Sequence, residues 1–339
     1  MRSRTTAAAA GLVGLAATAE LMLRRSRPRT TYGRYADWLH PGGLPARPLQ
    51  ALANSRAARA ACERFPVPAM VSDITDVVYV NYVVPAARLL PLVPAGLRLQ
   101  RVGPGREWAV FTFLTYRHGH LGPPMFGRLR QLLPSPVQTN WRIYVVDPHT
   151  GHAGVHFVTT AVDRPAHALG ARLFCEALPM HLLRRAAVGA AGDATVGLVL
   201  DPGLGSGPDA EALLTFAPAP ADGPWRSAFA TYQDMVKYVV PQDRALSVQA
   251  WHPRVTRQEI RLDLTPGDCL PLTGPVRSRA ARAIVGDAEP FSFYVPEVTL
   301  RFDSEEHYRL PLGSPPPGDL PPGGPTLGGP PLDGSSASG

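Results

Sequence analysis

Residues 137–162 decide the fold of this chain, and they read VQTNWRIYVVDPHTGHAGVHFVTTAV. Two runs rich in β-branched and aromatic residues, 137–146 and 155–162, flank the segment DPHTG at 147–151. Such runs are typical of strands, and the proline and glycine stand where a tight turn needs them. The sequence therefore predicts an antiparallel hairpin whose one face lines a β core.

The same strand composition recurs along most of the chain. Further strands are predicted at 77–84, 108–116, 195–200, 212–216, 245–251, 259–264 and 291–302. Helices are predicted at 166–177, before Pro179, and from Ser227 through Lys237. The chain has neither a G-x-G-x-x-G motif nor a P-loop, which excludes the usual nucleotide-binding α/β folds. We expect an α+β fold around one large β core.

Composition divides the chain into three parts. Hydrophobic residues make up 45% and charged residues 18%, which is typical of a globular protein. Residues 1–64 are predicted to be a basic N-terminal appendage with an Ala-rich helix and a second short helix at 49–63. The folded domain should span 65–312. Residues 313–339 are almost wholly Pro, Gly and Ser, so a disordered tail is expected.

The positive charge is concentrated at the N-terminus. The formal net charge is +7, but residues 1–64 hold eleven arginines and three acidic residues, which leaves the remaining chain at −1. Binding to nucleic acid needs a basic excess on the folded part of a protein. We therefore exclude nucleic acid as a partner of the core.

The N-terminal segment allows three interpretations. Arg2 and Arg4 precede an apolar run at 7–19, which matches the outline of a signal peptide. Glu20 interrupts the apolar character, and arginines follow at once, as they do beside a membrane anchor. A soluble or surface-lying helix is the third interpretation. We expect a cytoplasmic protein, with membrane-surface association or export through residues 1–23 as alternatives.

The hairpin carries the most informative side chains. Asn140, Arg142 and Tyr144 alternate onto one face of the first strand. If that face points into a closed core, the guanidinium needs an anionic partner, because an unpaired buried charge is very costly. The partner is either the carboxylate or phosphate of a ligand, or a structural carboxylate such as Glu176 or Asp163.

Metal and thiol chemistry are weakly indicated. His118, His120 and His156 could meet as zinc ligands, but no H-E-x-x-H motif is present and the first two flank Gly119. We expect uncoordinated histidines and predict neither a metal nor a cofactor. The three cysteines are Cys62, Cys175 and Cys269. They are odd in number and widely spaced, so buried thiols are expected instead of disulfides.

Four short motifs, in order, resemble one known family. The first is Asn140-Trp141-Arg142-Ile143-Tyr144-Val145, where the family has N-x-R-T-Y-V, and the second is Gly154-Val155-His156-Phe157, where it has G-V-x-F. The third is Ala171-Arg172 followed by Leu178-Pro179, where the family has A-R and then L-P. The fourth is Val295-Pro296-Glu297-Val298 followed by Arg301-Phe302, where it has S-P-G-V and then R-F. The family is that of the uncharacterised YqjF-like proteins of the acetoacetate-decarboxylase-like superfamily. The resemblance extends over about residues 73–302.

The resemblance implies a β-rich, cone-like, closed or partly closed barrel with a central cavity and a few flanking helices. It does not imply decarboxylation, because the true decarboxylases of the superfamily use a Schiff-base lysine. The strand at 137–146 contains no lysine, and Gln138 stands where the family usually has an acid. The chain's one lysine, Lys237, lies on another predicted element, where we interpret it as a solvated surface group.

Two functional hypotheses follow. In the first, the cavity binds a small organic anion through Arg142, and three neighbours, Asn140, Tyr144 and His156, shape the pocket. Tyr116, His118 and Glu176 are weaker candidates for its rim or for acid–base work. In the second, the chain is a non-catalytic barrel module that acts in membrane-associated or protein–protein interaction. The sequence decides neither the reaction nor the ligand nor the oligomeric state.

Overall fold

The structure is a computed structural model that describes residues 15, 17–26, 38–42, 46–220, 222–240, 243–248 and 254–309, apart from the side chain of Ser304. Most of the N-terminal apolar run and the whole C-terminal tail at 313–339 lie outside the described residues, as do 249–253 at the end of one predicted strand.

Fourteen strands of the described residues form one hydrogen-bonded sheet. They are β1 (Met70–Pro85), β2 (Arg98–Leu99), β3 (Trp108–Arg117), β4 (Val137–Val146), β5 (Ala153–Val162), β6 (Met180–Leu182), β7 (Arg185–Gly192), β8 (Thr195–Asp201), β9 (Ala210–Phe216), β10 (Arg244–Val248), β11 (Arg254–Leu262), β12 (Leu270–Thr273), β13 (Val276–Arg277) and β14 (Phe291–Arg309).

Helices are few and short. They are α1 (Arg47–Asn54), α2 (Arg56–Cys62), α3 (Ala86–Leu89), α4 (Pro165–Phe174), α5 (Tyr232–Val239) and α6 (Arg279–Val285). Short 3₁₀ segments lie at Leu90–Leu92, Pro124–Leu132, Pro224–Ser227 and Pro266–Asp268, and residues 17–26 are also helical. Within the described parts of the chain, no helix has the length and apolar character needed to cross a membrane.

Seven strands close a ring of hydrogen bonds. The pairing runs β1–β3–β4–β5–β10–β11–β14 and returns to β1. The β4–β5 hairpin is antiparallel, as predicted, and Asp147 N–H donates to the carbonyl of His152 at 2.9 Å across its turn. This strand-rich ring with few helices confirms the predicted fold class.

The remaining strands form an arm outside the ring. The arm runs from β14 through β12, β9 and β8 to β7, and it packs on one face of β1, β3 and β4. We call that face the outer face; it carries Phe111, Phe113, Trp141 and Ile143. Because side chains alternate along a strand, Leu114 and Tyr144 lie on the opposite, inner face, together with residues of α5.

Three predicted helices differ from the structure, and the one expected at 166–177 ends at Phe174 because Cys175 has an extended backbone. The single helix expected at 49–63 is split into α1 and α2 at Ser55, whose extended backbone stops the first and whose hydroxyl accepts from Ala58 N–H at the start of the second. The helix expected from Ser227 begins at Tyr232, because Thr231 caps it through Asp234 N–H. Helices α1 and α2 pack on α4, with Ala53 and Ala168 buried between them.

Candidate functional site

The polar face predicted for β4 lies on the inner face of the ring. Asn140, Arg142 and Tyr144 are all buried there. The register with β3 places Thr112 opposite Arg142 and Leu114 opposite Asn140. Strands β3 and β4 thus place one cation and several hydroxyl and amide groups in a largely apolar interior.

Arg142 is a buried cation without a carboxylate partner among the described residues. Its side chain is 4% exposed, and Nη2 donates to the carbonyl of Val239 at 2.9 Å. The guanidinium carbon lies 5.7 Å from the ring centre of Tyr79 and 5.6 Å from that of Tyr144. The Nε–H has no hydrogen-bond partner among the residues that the structure describes. At least one donor of a permanently charged group, the Nε–H, is therefore unused.

The two structural carboxylates considered as partners of Arg142 accept hydrogen bonds from other groups instead. Asp163 Oδ1 accepts the backbone N–H of Val137 at 3.0 Å. Glu176 Oε2 accepts from Arg254 Nη2 at 2.7 Å. The interpretation that either of them neutralises Arg142 is wrong.

The partner that Arg142 does have is the end of a helix. Val239 is the last residue of α5, where carbonyl groups lack partners within the helix and the helix dipole is negative. The hydroxyl of Tyr144 lies 3.2 Å from the same carbonyl oxygen and 2.9 Å from the hydroxyl of Thr112. A carbonyl and two aromatic rings offset only part of the cost of burying the charge.

A second row of polar groups forms a buried chain beside Arg142. Ser72 Oγ lies 2.8 Å from His118 Nδ1, and His118 Nε2 lies 3.0 Å from Gln138 Oε1. Gln138 Nε2 donates to Asn140 Oδ1 at 2.8 Å, and Asn140 Nδ2 donates to the hydroxyl of Tyr116 at 3.0 Å. The Tyr116 oxygen is therefore an acceptor, and its own hydrogen meets no acceptor among the described residues.

Burial sets the protonation states of the titratable side chains near Arg142. It raises the pKa of Tyr79 to about 12 and raises that of Tyr116 further, so both phenols keep their hydrogens at neutral pH. Burial lowers the pKa of His118 to about 4, although the hydrogen bond with Gln138 raises it in part. His118 is therefore neutral at neutral pH, which leaves Arg142 as the charged member of the group.

The structure does not bring two predicted site residues to Arg142. His156 pairs with Ile143, so it lies on the outer face, where its Nδ1 is 3.1 Å from the carbonyl oxygen of Leu246. Glu176 lines a different pocket of about 240 Å³ together with Arg254 and His307. The site assembled around Arg142 thus keeps Asn140, Tyr144, Tyr116 and His118.

The other chemical candidates lie apart from the site. Lys237 is exposed on α5. His120 Nδ1 lies 3.4 Å from Asp73 Oδ2, whereas the ring nitrogens of His118 contact Ser72 and Gln138. Among the described residues, no three His, Cys, Asp or Glu side chains are grouped as metal ligands would be. The three cysteines are not joined in disulfides.

Sequence reasoning missed two residues of the site, Tyr79 and Thr112. Both alternate with apolar residues on predicted strands, so each could have been assigned to the polar side of its own strand. Their position beside Arg142 depends on the pairing of β1 with β3 and of β3 with β4, which alternation alone does not give. The Val239 carbonyl has no sequence signal, because any residue could supply it.

Comparison with known proteins gives one family and several similar structures. The model of DUF2071, described as an uncharacterized conserved protein, matches residues 72–268. The chain is 12% identical to the acetoacetate decarboxylase from Legionella pneumophila, with 72% of this chain and 88% of that chain covered and a TM-score of 0.48. No curated relative matches the chain.

Two further solved structures match the chain with comparable sequence identity, coverage and TM-score. An acetoacetate decarboxylase-like enzyme from Sphingomonas wittichii RW1 is 13% identical, with 72% of this chain and 94% of that chain covered and a TM-score of 0.49. The enduracididine biosynthesis enzyme MppR complexed with pyruvate is 17% identical, with 72% and 91% covered and a TM-score of 0.46.

Proposed function

The chain belongs to the DUF2071 family of uncharacterized conserved proteins, and we propose that it binds a small organic anion inside the strand ring with Arg142 as the anchor. The observation that carries the proposal is the buried guanidinium whose Nε–H has no partner and which has no counter-ion among the described residues. A carboxylate can take this N–H and a second guanidinium N–H in two parallel hydrogen bonds, the strongest arrangement for this pair.

The neighbours of Arg142 also favour an anion over a cation. The hydroxyl hydrogen of Tyr116 is unused, because its oxygen already accepts from Asn140. Tyr79 stays protonated and lies against the guanidinium. Donors therefore exceed acceptors around Arg142, and a ligand with two or more acceptor oxygens would balance them.

The proposed function is binding, and it includes no covalent step. The sequence holds a single lysine, Lys237, and that side chain is exposed on α5. A Schiff base requires a neutral amine at the ligand, and a guanidinium is not a nucleophile. We also propose that residues 65–312 form the ligand-binding unit and that 1–64 are an appendage to it.

A second candidate function rests on the Val239 carbonyl. If the hydrogen bond from Arg142 to Val239 is the whole role of the guanidinium, Arg142 only fixes the end of α5, and the ring is a non-catalytic module. The two candidates differ in what an added acid does to stability, because only a bound ligand stabilises the folded state by mass action.

The test is the thermal shift produced by keto acids, fatty acids and aromatic acids, with their amides as neutral analogues. At least one acid should raise the Tm of the wild type and of Arg261→Met, a control in which an exposed arginine is lost. Arg142→Met should lose the effect, with affinity reduced at least about tenfold. Tyr116→Phe removes one neutral donor, so a loss of about three- to tenfold is expected.

Two results reject the anchor role. One is the absence of a shift with every acid in the wild type. The other is an equal shift in the wild type and in Arg142→Met, which would place the acid at another site.

A further inference from the structure

A group of large apolar side chains is exposed on one short segment, Pro124–Leu132, which lies between β3 and β4. Met125 is 84% exposed, Leu129 65% and Leu132 81%, and Phe126 is also exposed. Single exposed apolar residues are ordinary, but several on one segment mark a surface that binds something. We call these four residues the apolar patch.

The segment that carries the apolar patch is held in place. Gly122 exchanges two backbone hydrogen bonds with Val71 of β1, at 3.0 and 3.1 Å. Arg130 Nε donates to the carbonyl of His120 at 2.8 Å. Gly127, with φ 47° and ψ −123°, turns the chain between two 3₁₀ turns in a conformation that suits glycine. The patch is therefore presented by a bonded segment of the fold.

The segment's own charged side chains are Arg128 and Arg130, and both are positive. The sequence has no Asp or Glu from 108 to 146. Arg128 is exposed within the segment and makes no ion pair among the described residues, while Arg130 reaches Asp73 at 3.5 Å. Apolar side chains with adjacent arginines are the combination that binds an interface rich in anionic lipid.

We propose that the segment Pro124–Leu132 docks on an anionic lipid surface, with Met125, Leu129 and Leu132 entering the boundary between headgroups and acyl chains and Arg128 meeting the headgroups. A second copy of the chain is a poorer occupant. A two-fold contact through this segment would bring the Arg128 side chains of both copies together, and the segment offers no carboxylate to separate them. The docking is independent of the ligand proposed for Arg142, which lies inside the ring.

The test uses the full chain and sedimentation with vesicles. One set contains phosphatidylcholine with about one third phosphatidylserine, and the other contains phosphatidylcholine alone. The variants are Met125→Ser/Leu129→Ser/Leu132→Ser, Arg128→Glu, and the matched control Leu204→Ser/Leu213→Ser, whose leucines are 76% and 59% exposed elsewhere. Circular dichroism checks that each variant folds, and light scattering gives its mass without vesicles.

The expected result is binding of the wild type and of the control to phosphatidylserine vesicles, with weaker binding at high salt. The triple variant should bind at least about tenfold more weakly, because three buried apolar side chains are lost. Arg128→Glu should also lose affinity, by about tenfold or more.

Three results overturn the proposal. The first is no binding of the wild type to phosphatidylserine vesicles. The second is equal binding of the triple variant and the wild type, which would assign the contact to the basic N-terminal segment. The third is a wild-type dimer that becomes a monomer in the triple variant, which would make the patch a contact between copies or with another protein.

Discussion

At the scale of the residue, the account depends on one guanidinium. Arg142 is held by a helix carbonyl and two tyrosine rings, and its Nε–H has no partner in the described part of the chain. In a buried ion pair with good geometry, the attraction between the two charges can offset the free energy lost when they leave water, whereas a lone buried charge has no such attraction. In the ligand-free protein, Arg142 is therefore expected to cost stability, and a bound anion recovers it.

This cost predicts how Arg142→Met behaves without ligand. Methionine has a similar volume and carries no charge, and Tyr144 still bonds the Val239 carbonyl. We expect the free energy of unfolding in urea to stay within about 1 kcal/mol of the wild type or to rise by that amount. A loss of more than about 3 kcal/mol would instead show that Arg142 is a structural cap of α5.

His118 predicts a pH dependence of stability. Its folded pKa of about 4 lies below the ordinary value of 6.5, so the unfolded chain binds the proton more readily between these values. The stabilisation from this group is present above pH 6.5 and is lost as the pH falls towards 4. The full effect is about 3 kcal/mol.

The measurement is urea unfolding of the wild type and His118→Gln at pH 7 and near pH 4. Between pH 7 and pH 4, the unfolding free energy of the wild type should fall by roughly 2–3 kcal/mol more than that of His118→Gln. His156 and His181 have pKa values lowered in the same direction and remain in both proteins, so they cancel in the comparison. Parallel pH profiles would contradict the assignment of a buried, neutral His118.

The sequence predicted the polar face of β4 but only part of the site. Alternation over Asn140, Arg142 and Tyr144 was sufficient to place them on one face, because it is a local property of a strand. The register between strands decides which other residues join them. For that reason alternation did not show that His156 lies on the face opposite Arg142, and it missed Tyr79.

At the scale of the element, strands rich in β-branched residues were predicted well and small-residue strands were not. β4 has the predicted bounds, whereas β7 (Arg185–Gly192) was missed because alanine and glycine are poor strand indicators. Its formation depends on the neighbour β8, to which it pairs along its length. The split between α1 and α2 was missed because a single capping serine is a weak local signal.

The helical residues 17–26 meet α2 through one carboxylate, and this contact gives a prediction. Glu20 accepts from Ser55 Oγ and from the N–H groups of Arg56 and Ala57 at 2.8 to 3.1 Å. Burial raises the pKa of Glu20, but these hydrogen bonds and one from the Arg24 side chain together lower it more, to about 2. Glu20→Gln should destabilise this helix start by about 1 kcal/mol.

Hydrogen exchange of the Arg56 and Ala57 amides measures the effect. Exchange should be faster in Glu20→Gln than in the wild type at pH 7, and the exposed Glu289→Gln serves as the control. The stabilisation should be present above pH 4.5 and be lost as the pH falls towards 2. Unchanged exchange in Glu20→Gln would show that the carboxylate does not cap α2.

At the scale of the whole molecule, the ring is closed by the pairing of β1 with β14. Asn81 lies opposite Phe291, 210 residues further along the chain. No local pattern predicts a contact at such a separation, so the strands could be predicted from local patterns but the order in which they pair could not. The closed ring entered the prediction through the family resemblance. The boundaries at residues 64 and 312 stay predictions.

The central claim is that the interior of the ring receives an anion at Arg142. The most direct measurement is a crystal structure of the protein with a bromine-substituted aromatic or aliphatic carboxylic acid, in which anomalous scattering locates the ligand. The account predicts a carboxylate within hydrogen-bond distance of Arg142 Nε. Bromine found only elsewhere, such as in the pocket beside Glu176 and Arg254, with no carboxylate at Arg142 Nε, would contradict it.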